Sequence, residues 1–285
     1  MVLAFFCIYI RKKPYICLCF LFIGYVELIK ESMKEEGDIF KKFRNSFERI
    51  DGHLHILEQR IPVELQMEYF KHSEEKRKEN QPPRPLTDQE CQDVFALLID
   101  NKESGREEKR DQLTLLATSK NVKAYKLLQE YVQNPDKEVT DWAFMALMEC
   151  RISLESELSE EKQVYISTGL GGKGEKLRFY VLMLSADRKP FVDYQRKVIE
   201  REFAYYLPKA DCEIERLTIG EQYVELVFLI PVRADIKGTL DKVIIECNQY
   251  GNFLSDIFTI TNVKELTHEE IEEIIHKNGD GKTSD

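Results

Sequence analysis

Long apolar runs, cysteine pairs at metal-binding spacing, basic clusters and catalytic signatures are scarce or missing in this sequence, and each gap narrows what the chain can do. No G-x-S-x-G, H-E-x-x-H or Cys–His signature occurs, so the familiar hydrolase and metalloprotease sites have no foothold. The seven cysteines (Cys7, Cys17, Cys19, Cys91, Cys150, Cys212 and Cys247) are odd in number and form no C-x-x-C. That fits neither a disulfide framework nor a zinc site. Cys150 and Cys247 stand among apolar residues and read as small core fillers in a reducing, cytoplasmic setting. The formal net charge is −10, and the lysines and arginines are mostly interleaved with acids, as over residues 74–79. Without clustered cations to release phosphate counterions, nucleic acid is disfavoured as a partner.

What is present is a soluble balance, 43% hydrophobic and 32% charged, over 285 residues, which allows two domains with separate cores. Residues 1–32 stand apart. Two apolar runs, Met1–Ile10 and Pro14–Ile29, are split by Arg11-Lys12-Lys13, and the second has 13 uncharged residues before Glu27. A spanning helix needs ~20, and a secretory signal would begin basic and end on a small-residue cleavage site. One reading starts translation at Met33, whose Met33-Lys34-Glu35-Glu36 resembles a solvated start. Another is a membrane anchor through residues 14–29, and a third is a packed segment. A membrane is a partner only if residues 1–29 are translated and inserted.

Residues 33–160 read as helical. Phe40, Phe43, Phe47, Ile50, Leu54, Leu57 and Ile61 recur at gaps of 3 and 4, which predicts one helical stripe over residues 40–61. Such a stripe packs on its own domain or makes a homodimer seam. Pro62 marks a kink or a fresh start, and Val63, Met67 and Phe70 continue as a second amphipathic segment. The prolines at 82, 83 and 85 break the helix. Thr87 or Asp88 then caps a helix carrying Val94, Phe95, Leu97 and Leu98. Further on, Val122, Tyr125, Leu128 and Val132 line one predicted helix face. Val139, Ala143, Ala146 and Cys150 line the next, with Trp142 and Leu147 beside them.

Between those helices runs Asn134-Pro135-Asp136-Lys137-Glu138-Val139, followed by Ala143 to Leu147. This pattern resembles the HEAT family of α-solenoid repeats over about residues 92–152. The family's usual Arg is replaced by Thr140, and its common Asp by Asn134. A fainter copy places Leu113 and Leu116 at an interval of 31 before Phe144 and Leu147. The resemblance implies a short helical repeat that binds a protein partner, for which Tyr125, Tyr131 and Trp142 are the candidate contacts.

Residues 164–277 alternate strand and helix signals. Lys176–Ser185 reads as a strand and Pro190–Leu207 as a helix ended by Pro208. Residues 212–219 and 223–232 read as a hairpin around Gly220-Glu221. Ile236–Tyr250 reads as a second helix and Ile257–Val263 as a last strand. Thr267-His268-Glu269-Glu270 is a capping box for a final helix, and residues 278–285 form a polar tail. The order βαββαβ resembles the ferredoxin-like fold. The expected fold class is therefore α plus α+β, a short HEAT-like helical domain followed by a ferredoxin-like one.

One loop has phosphate-binding character. In Ser167-Thr168-Gly169-Leu170-Gly171-Gly172-Lys173-Gly174, backbone amides and Lys173, with Lys176 just beyond, are the candidate cofactor-binding groups. A Walker A loop needs a Gly six residues before its Lys, where Ser167 stands, and Ser or Thr after it, where Gly174 stands. A hairpin or connector is the simpler reading. His53 and His55 form an H-x-H, but on the predicted helix they would face apart, so no metal or other cofactor is implied. Glu155, Glu157, Glu160 and Glu161 cluster near the end of the helical half. These observations point to a protein–protein interaction or scaffold protein rather than an enzyme. The alternatives are a regulatory sensor binding a small ligand through the ferredoxin-like domain, which could also dimerise through its sheet, and an enzyme with an unfamiliar site.

Overall fold

In the computed structural model, residues 2–3, 7–10, 16–19, 53–79, 85–100, 105–158 and 163–277 are described. The elements, in chain order, are β1 (Val2–Leu3), β2 (Cys7–Ile10), β3 (Ile16–Cys19), β4 (His53–Ile56), α1 (Val63–Glu79), α2 (Asp88–Asp100), α3 (Arg106–Thr118), α4 (Val122–Tyr131) and α5 (Thr140–Leu158). They continue with β5 (Gln163–Ser167), β6 (Gly172–Lys173), β7 (Lys176–Ser185), α6 (Asp193–Lys209), β8 (Glu213–Ile219), β9 (Tyr223–Pro231), α7 (Ile236–Asn248), β10 (Leu254–Thr261) and α8 (His268–Lys277). The chain is a mixture of helix and sheet, and it divides into two compact units, one built on Asp51–Ser167 and the other on Thr168–Asp285.

In the first unit α1 to α5 share one core. Tyr69 and Cys91, Leu98, Leu113, Leu116 and Leu128, and Trp142 and Ala146 are all buried in it. Fully burying each such leucine stabilises the fold by about 1.5–3 kcal/mol before entropy is counted. Local signals set the helix starts. Thr87 and Glu90 form a reciprocal box: Glu90 N donates to Thr87 Oγ1 at 3.2 Å and Thr87 N to Glu90 Oε2 at 2.8 Å. Asn121 Oδ1 accepts from Lys123 N at 2.6 Å and so caps α4. The tight packing of α5 follows from Val139, Ala143, Ala146 and Cys150, each at most 1% exposed. Beside the helices lies a four-stranded sheet in the order β3-β2-β5-β4, with β2 antiparallel and β4 parallel to β5.

That sheet corrects the helix expected over residues 40–61. Residues 40–52 lie outside the described residues, and His53–Ile56 is strand β4, its Leu54 opposite Val164. His-Leu-His-Ile alternates with period two, so Leu54 and Ile56 share a strand face, and this local signal prevails over the heptad gaps once β5 offers a hydrogen-bonding edge. Leu57 and Ile61 are 3% and 0% exposed in the unit's own core, so they are not available as a dimer seam. Two helix faces also differ from expectation. On α1 the buried positions are Gln66, Tyr69 and Ser73, while Met67 is 42% exposed. On α4 they are Ala124, Leu127, Leu128 and Tyr131, and Val122 is exposed.

The second unit is built on a sheet in the order β1-β10-β7-β9-β8, with β6 pairing β7 as a short hairpin. β10, β7, β9 and β8 are mutually antiparallel, and β1 adds in parallel to β10. The run of buried residues along β7 reflects cover on both faces. Tyr180, Leu182 and Leu184 pack with Ile271 of α8. Phe179, Val181 and Met183 alternate onto the opposite face, where α6 and α7 bury Ile199, Phe203, Leu240 and Val243. The box starting α8 has the expected form, Thr267 N donating to Glu270 Oε2 at 2.9 Å. Two boundaries shift: α6 continues through Pro208 to Lys209, and the last strand begins at Leu254. The segment from Gln163 to Ser167, read as the beginning of the α+β half, is β5 of the first unit's sheet.

Among the described residues no helix is long and apolar enough to cross a membrane. Of residues 14–29 only strand β3 is described, and Met33 lies outside the described residues.

Candidate functional site

One cluster of polar and aromatic side chains lies where β4, β5 and α5 meet. Glu155 sits on α5, and its carboxylate takes three donors. Arg151 Nε lies at 2.7 Å from Oε1, one helical turn away, while Tyr165 Oη and His55 Nε2 each approach Oε2 at 3.1 Å. The parallel register places His55 opposite Tyr165, and the rings stack with centroids 4.6 Å apart and planes inclined by 12°. Burial, reinforced by Glu155, pushes the Tyr165 phenol well above its usual range, so it stays protonated and donates. Tyr125, a candidate contact from the sequence, is half-buried on α4, and its phenol accepts from Gln129 Nε2 at 3.0 Å.

A His–carboxylate pair of this kind serves as a general base only if a substrate proton or nucleophile lies within hydrogen-bond reach. Here Glu155 is already taken by three donors, and the imidazole is sandwiched against a ring. The arrangement therefore ties the β4–β5 ladder to α5. His53 and His55 lie on a strand rather than a helix, which removes the geometric objection to a shared ion. Among the described residues, however, no three His, Cys, Asp or Glu side chains are placed to hold a metal. Sequence reasoning noticed His55 in the H-x-H and Glu155 in the acidic run but did not join them, because they are a hundred positions apart.

A second polar cluster lies deeper, between α1 and α5. Glu149, 5% exposed, accepts from Tyr69 Oη at 2.7 Å, from Ser73 Oγ at 2.7 and 2.8 Å, and from the Arg77 guanidinium. Burial, reinforced by Glu149, holds the Tyr69 phenol protonated. Next to it Trp142 packs edge-on to Tyr69 and donates from Nε1 to Thr114 Oγ1 at 3.0 Å, with Arg110 lying 4.2 Å over its ring. Trp142 is 1% exposed and Tyr131 6%. Both were expected as partner contacts, and both are corrected to core residues. Their rings are the largest apolar bodies on α4 and α5 and fill the space between helices.

The loop candidates are also engaged. Gly172 and Lys173 pair with Leu177 and Lys176 as the β6–β7 hairpin, closed by Gly174 at φ +58°. Lys173 Nζ lies 3.1 Å from Glu213, and Lys176 Nζ lies 2.8 Å from Asp211 and 3.0 Å from Glu213. Those lysines hold the Glu213 carboxyl below its usual range. A phosphate arriving here would meet two carboxylates alongside the two ammoniums. Of the acidic cluster, Glu155 is held as above, Glu157 pairs with Lys120, and Glu160 and Glu161 lie outside the described residues.

No known protein family and no curated protein matches the chain. What it does has to be argued from its own residues.

Proposed function

We propose that the chain is a protein–protein interaction protein in which a short HEAT-like helical repeat is the docking element. The observation that carries this reading is the tie between α3 and the turn joining α4 to α5. Lys109 of α3, its side chain 7% exposed, reaches Asp136 Oδ2 at 3.0 Å and Glu138 Oε1 at 3.3 Å. Asp136 also accepts from Tyr131 Oη at 2.9 Å, while Thr140 Oγ1 donates to the Asp136 carbonyl at 3.1 Å. Burial alone would raise the Asp136 carboxyl, but the hydrogen bonds from Lys109 and Tyr131 outweigh it and hold it low. A cation from the preceding helix thus locks the Asp-bearing turn, as stacked repeats require when neighbours must be bound to one another.

The same unit keeps apolar side chains outside its core. Leu97 and Ile99 on α2 are 56% and 49% exposed. Two positions apart, they lie on different sides of the helix. Leu97, the more exposed, is the contact this reading assigns to a partner, with Ile99 at its margin. Docking through apolar residues rimmed by charge needs no reacting group. The second unit fits the reading as a ferredoxin-like domain. Its βαββαβ order and the β10-β7-β9-β8 sheet support that assignment. Its free edge, β8, carries exposed Glu213, Glu215 and Arg216 with a register shift at Glu215, features that discourage strand-to-strand dimers. The cytoplasm fits a chain in which Cys91, Cys150, Cys212 and Cys247 are free thiols.

The test is affinity capture from native lysate with the full chain and with a Leu97→Asp/Ile99→Asp variant whose circular dichroism and Tm match the parent. A protein retained by the parent and lost with the variant supports the reading. Equal retention by both, or no retention above background, overturns it.

A further inference from the structure

In the α/β unit, helices α6 and α7 bury one face on the sheet and leave large side chains on the other. Tyr194 and Tyr205 of α6 are each 53% exposed, and Ile245 and Tyr250 of α7 and its end are 61% and 50% exposed. These are not stray core residues, because Val198, Ile199, Phe203 and Leu207 of the same helix are already packed inward. Tyr194, Arg201, Tyr205 and Lys209 recur at intervals of 7, 4 and 4, which aligns them as one outward stripe.

The cations of this face sit on its rings. Lys209 Nζ is 3.5 Å from the Tyr205 ring centroid and Lys242 Nζ 5.3 Å from that of Tyr206. Arg201 of α6 lies 4.8 Å over Tyr250, beyond the end of α7. Neighbouring carboxylates are committed: Glu202, 7% exposed, accepts from Arg201, and Glu246 accepts from Gln249 Nε2 at 2.9 Å. Glu200 remains exposed, three positions from Lys197, which offsets it. Among the described residues neither Lys209 nor Lys242 lies within ion-pair distance of a carboxylate. In a chain of net charge −10 these are two lysines held on aromatic rings and not paired by a carboxylate of their own unit.

We propose that this face docks an acidic protein segment, whose carboxylates meet Lys209 and Lys242 while its apolar side chains rest on Tyr205, Ile245 and Tyr250. Tyrosine and arginine supply a disproportionate share of binding energy at protein interfaces, and tyrosine loses little rotamer freedom on binding. A protein segment fits better than a nucleic acid. Ile245, the most exposed of the four, offers nothing for a base to stack on, and the chain's overall negative charge repels a phosphate polymer at long range. The surface is separate from the α2 contacts proposed above, so either reading can fail without the other.

The experiment titrates the full chain into a fluorescently labelled peptide of glutamate and leucine at helical spacing, about 15 residues long so that it can form a helix. A lysine–leucine peptide of equal length and labelled oligo-dT serve as controls. Saturable binding of the acidic peptide is expected, weakening with salt. It should fall at least tenfold in Lys209→Glu/Lys242→Glu and about tenfold in Tyr205→Ala. Both variants alter exposed side chains, so circular dichroism and Tm should match the parent. Absence of saturable binding, unchanged affinity in folded variants, or equal binding of the lysine–leucine peptide overturns the proposal. So does tighter binding of oligo-dT, which would make the face a nucleic-acid surface. Self-association that blocks the peptide and disappears in Lys209→Glu/Lys242→Glu would also overturn it, by making a second copy the occupant.

Discussion

The Tyr69 hydroxyl donates to Glu149 Oε2 at 2.7 Å across a separation of 80 residues, joining α1 to α5 inside the helical core. A buried carboxylate is tolerated only when its lone pairs are met, and here Ser73 and Arg77 complete the set. Tyr69→Phe removes one donor and should cost about 1–3 kcal/mol. Glu149→Ala removes the shared acceptor of two hydroxyls and a guanidinium from the core and should cost about 3–5 kcal/mol. Urea unfolding followed by circular dichroism measures both. A Glu149→Ala loss below about 0.5 kcal/mol would show that the cluster is solvated rather than structural.

Trp142 is the single tryptophan of the chain and is fully enclosed. Its emission should therefore be blue-shifted in the native protein and move to the red only as the helical unit unfolds. Trp142→Ala is expected to destabilise that unit by about 3–5 kcal/mol through the cavity it leaves. Thr114→Val removes the acceptor of the indole N–H and should cost about 1–3 kcal/mol. Native emission already at the solvent-exposed maximum would contradict the enclosure.

Patterns that repeat within one element were legible in the sequence. The small-residue face of α5, a helix cap at Thr87 or Asp88, the capping box at Thr267, and the alternation of helix and strand beyond Lys176 all follow from local chemistry that survives in the fold. What escaped was whatever needed a distant partner. His53–Ile56 carries both a heptad and an alternating signal, and only the β5 edge, a hundred residues on, decides between them. Tyr131 and Trp142 were candidate partner contacts through the HEAT resemblance, and both are buried. Their burial is set by where α3 and α1 pack, which no spacing on α4 or α5 encodes. The Glu155 and Glu149 clusters likewise draw on elements distant in sequence.

Cys91, Cys150, Cys212 and Cys247 should be slow to react in the native state. Burial raises the Cys150 and Cys247 thiols to about 12 and Cys212 to about 11, with Cys91 raised as well, all from an ordinary value of 9.0. Because the folded values are the higher ones, the stability these thiols contribute is complete below about pH 9. It is lost as pH rises toward 11–12, where the unfolded chain sheds protons that the native state retains. Iodoacetamide labelling read by peptide mass should leave all four unmodified at pH 7.5 and modify them in urea. Unfolding midpoints should decline between pH 9 and 11. Native labelling of Cys150 at the rate of a free thiol would overturn the assignment.

Glycine at 169 is demanded by close approach rather than by an unusual backbone angle. A Cβ there would lie 1.9 Å from the Val263 carbonyl oxygen and 2.8 Å from its carbon, both backbone atoms that cannot rotate away. The contact exists because Leu170 N donates to the Asn262 carbonyl at 2.9 Å, drawing the loop onto the end of β10. Gly169→Ala must push these segments apart and should cost about 1–3 kcal/mol, or more if the Leu170–Asn262 bond is lost. Gly105 provides the contrast. It precedes α3 with φ −64°, and a Cβ added there would meet nothing within 4 Å, so Gly105→Ala should change stability by no more than about 1 kcal/mol. Thermal and urea unfolding of the two variants in parallel tests the pair. Equal, small losses would mean that the loop does not press on β10, whereas a selective loss for Gly169→Ala would place the requirement for glycine in the backbone contact itself.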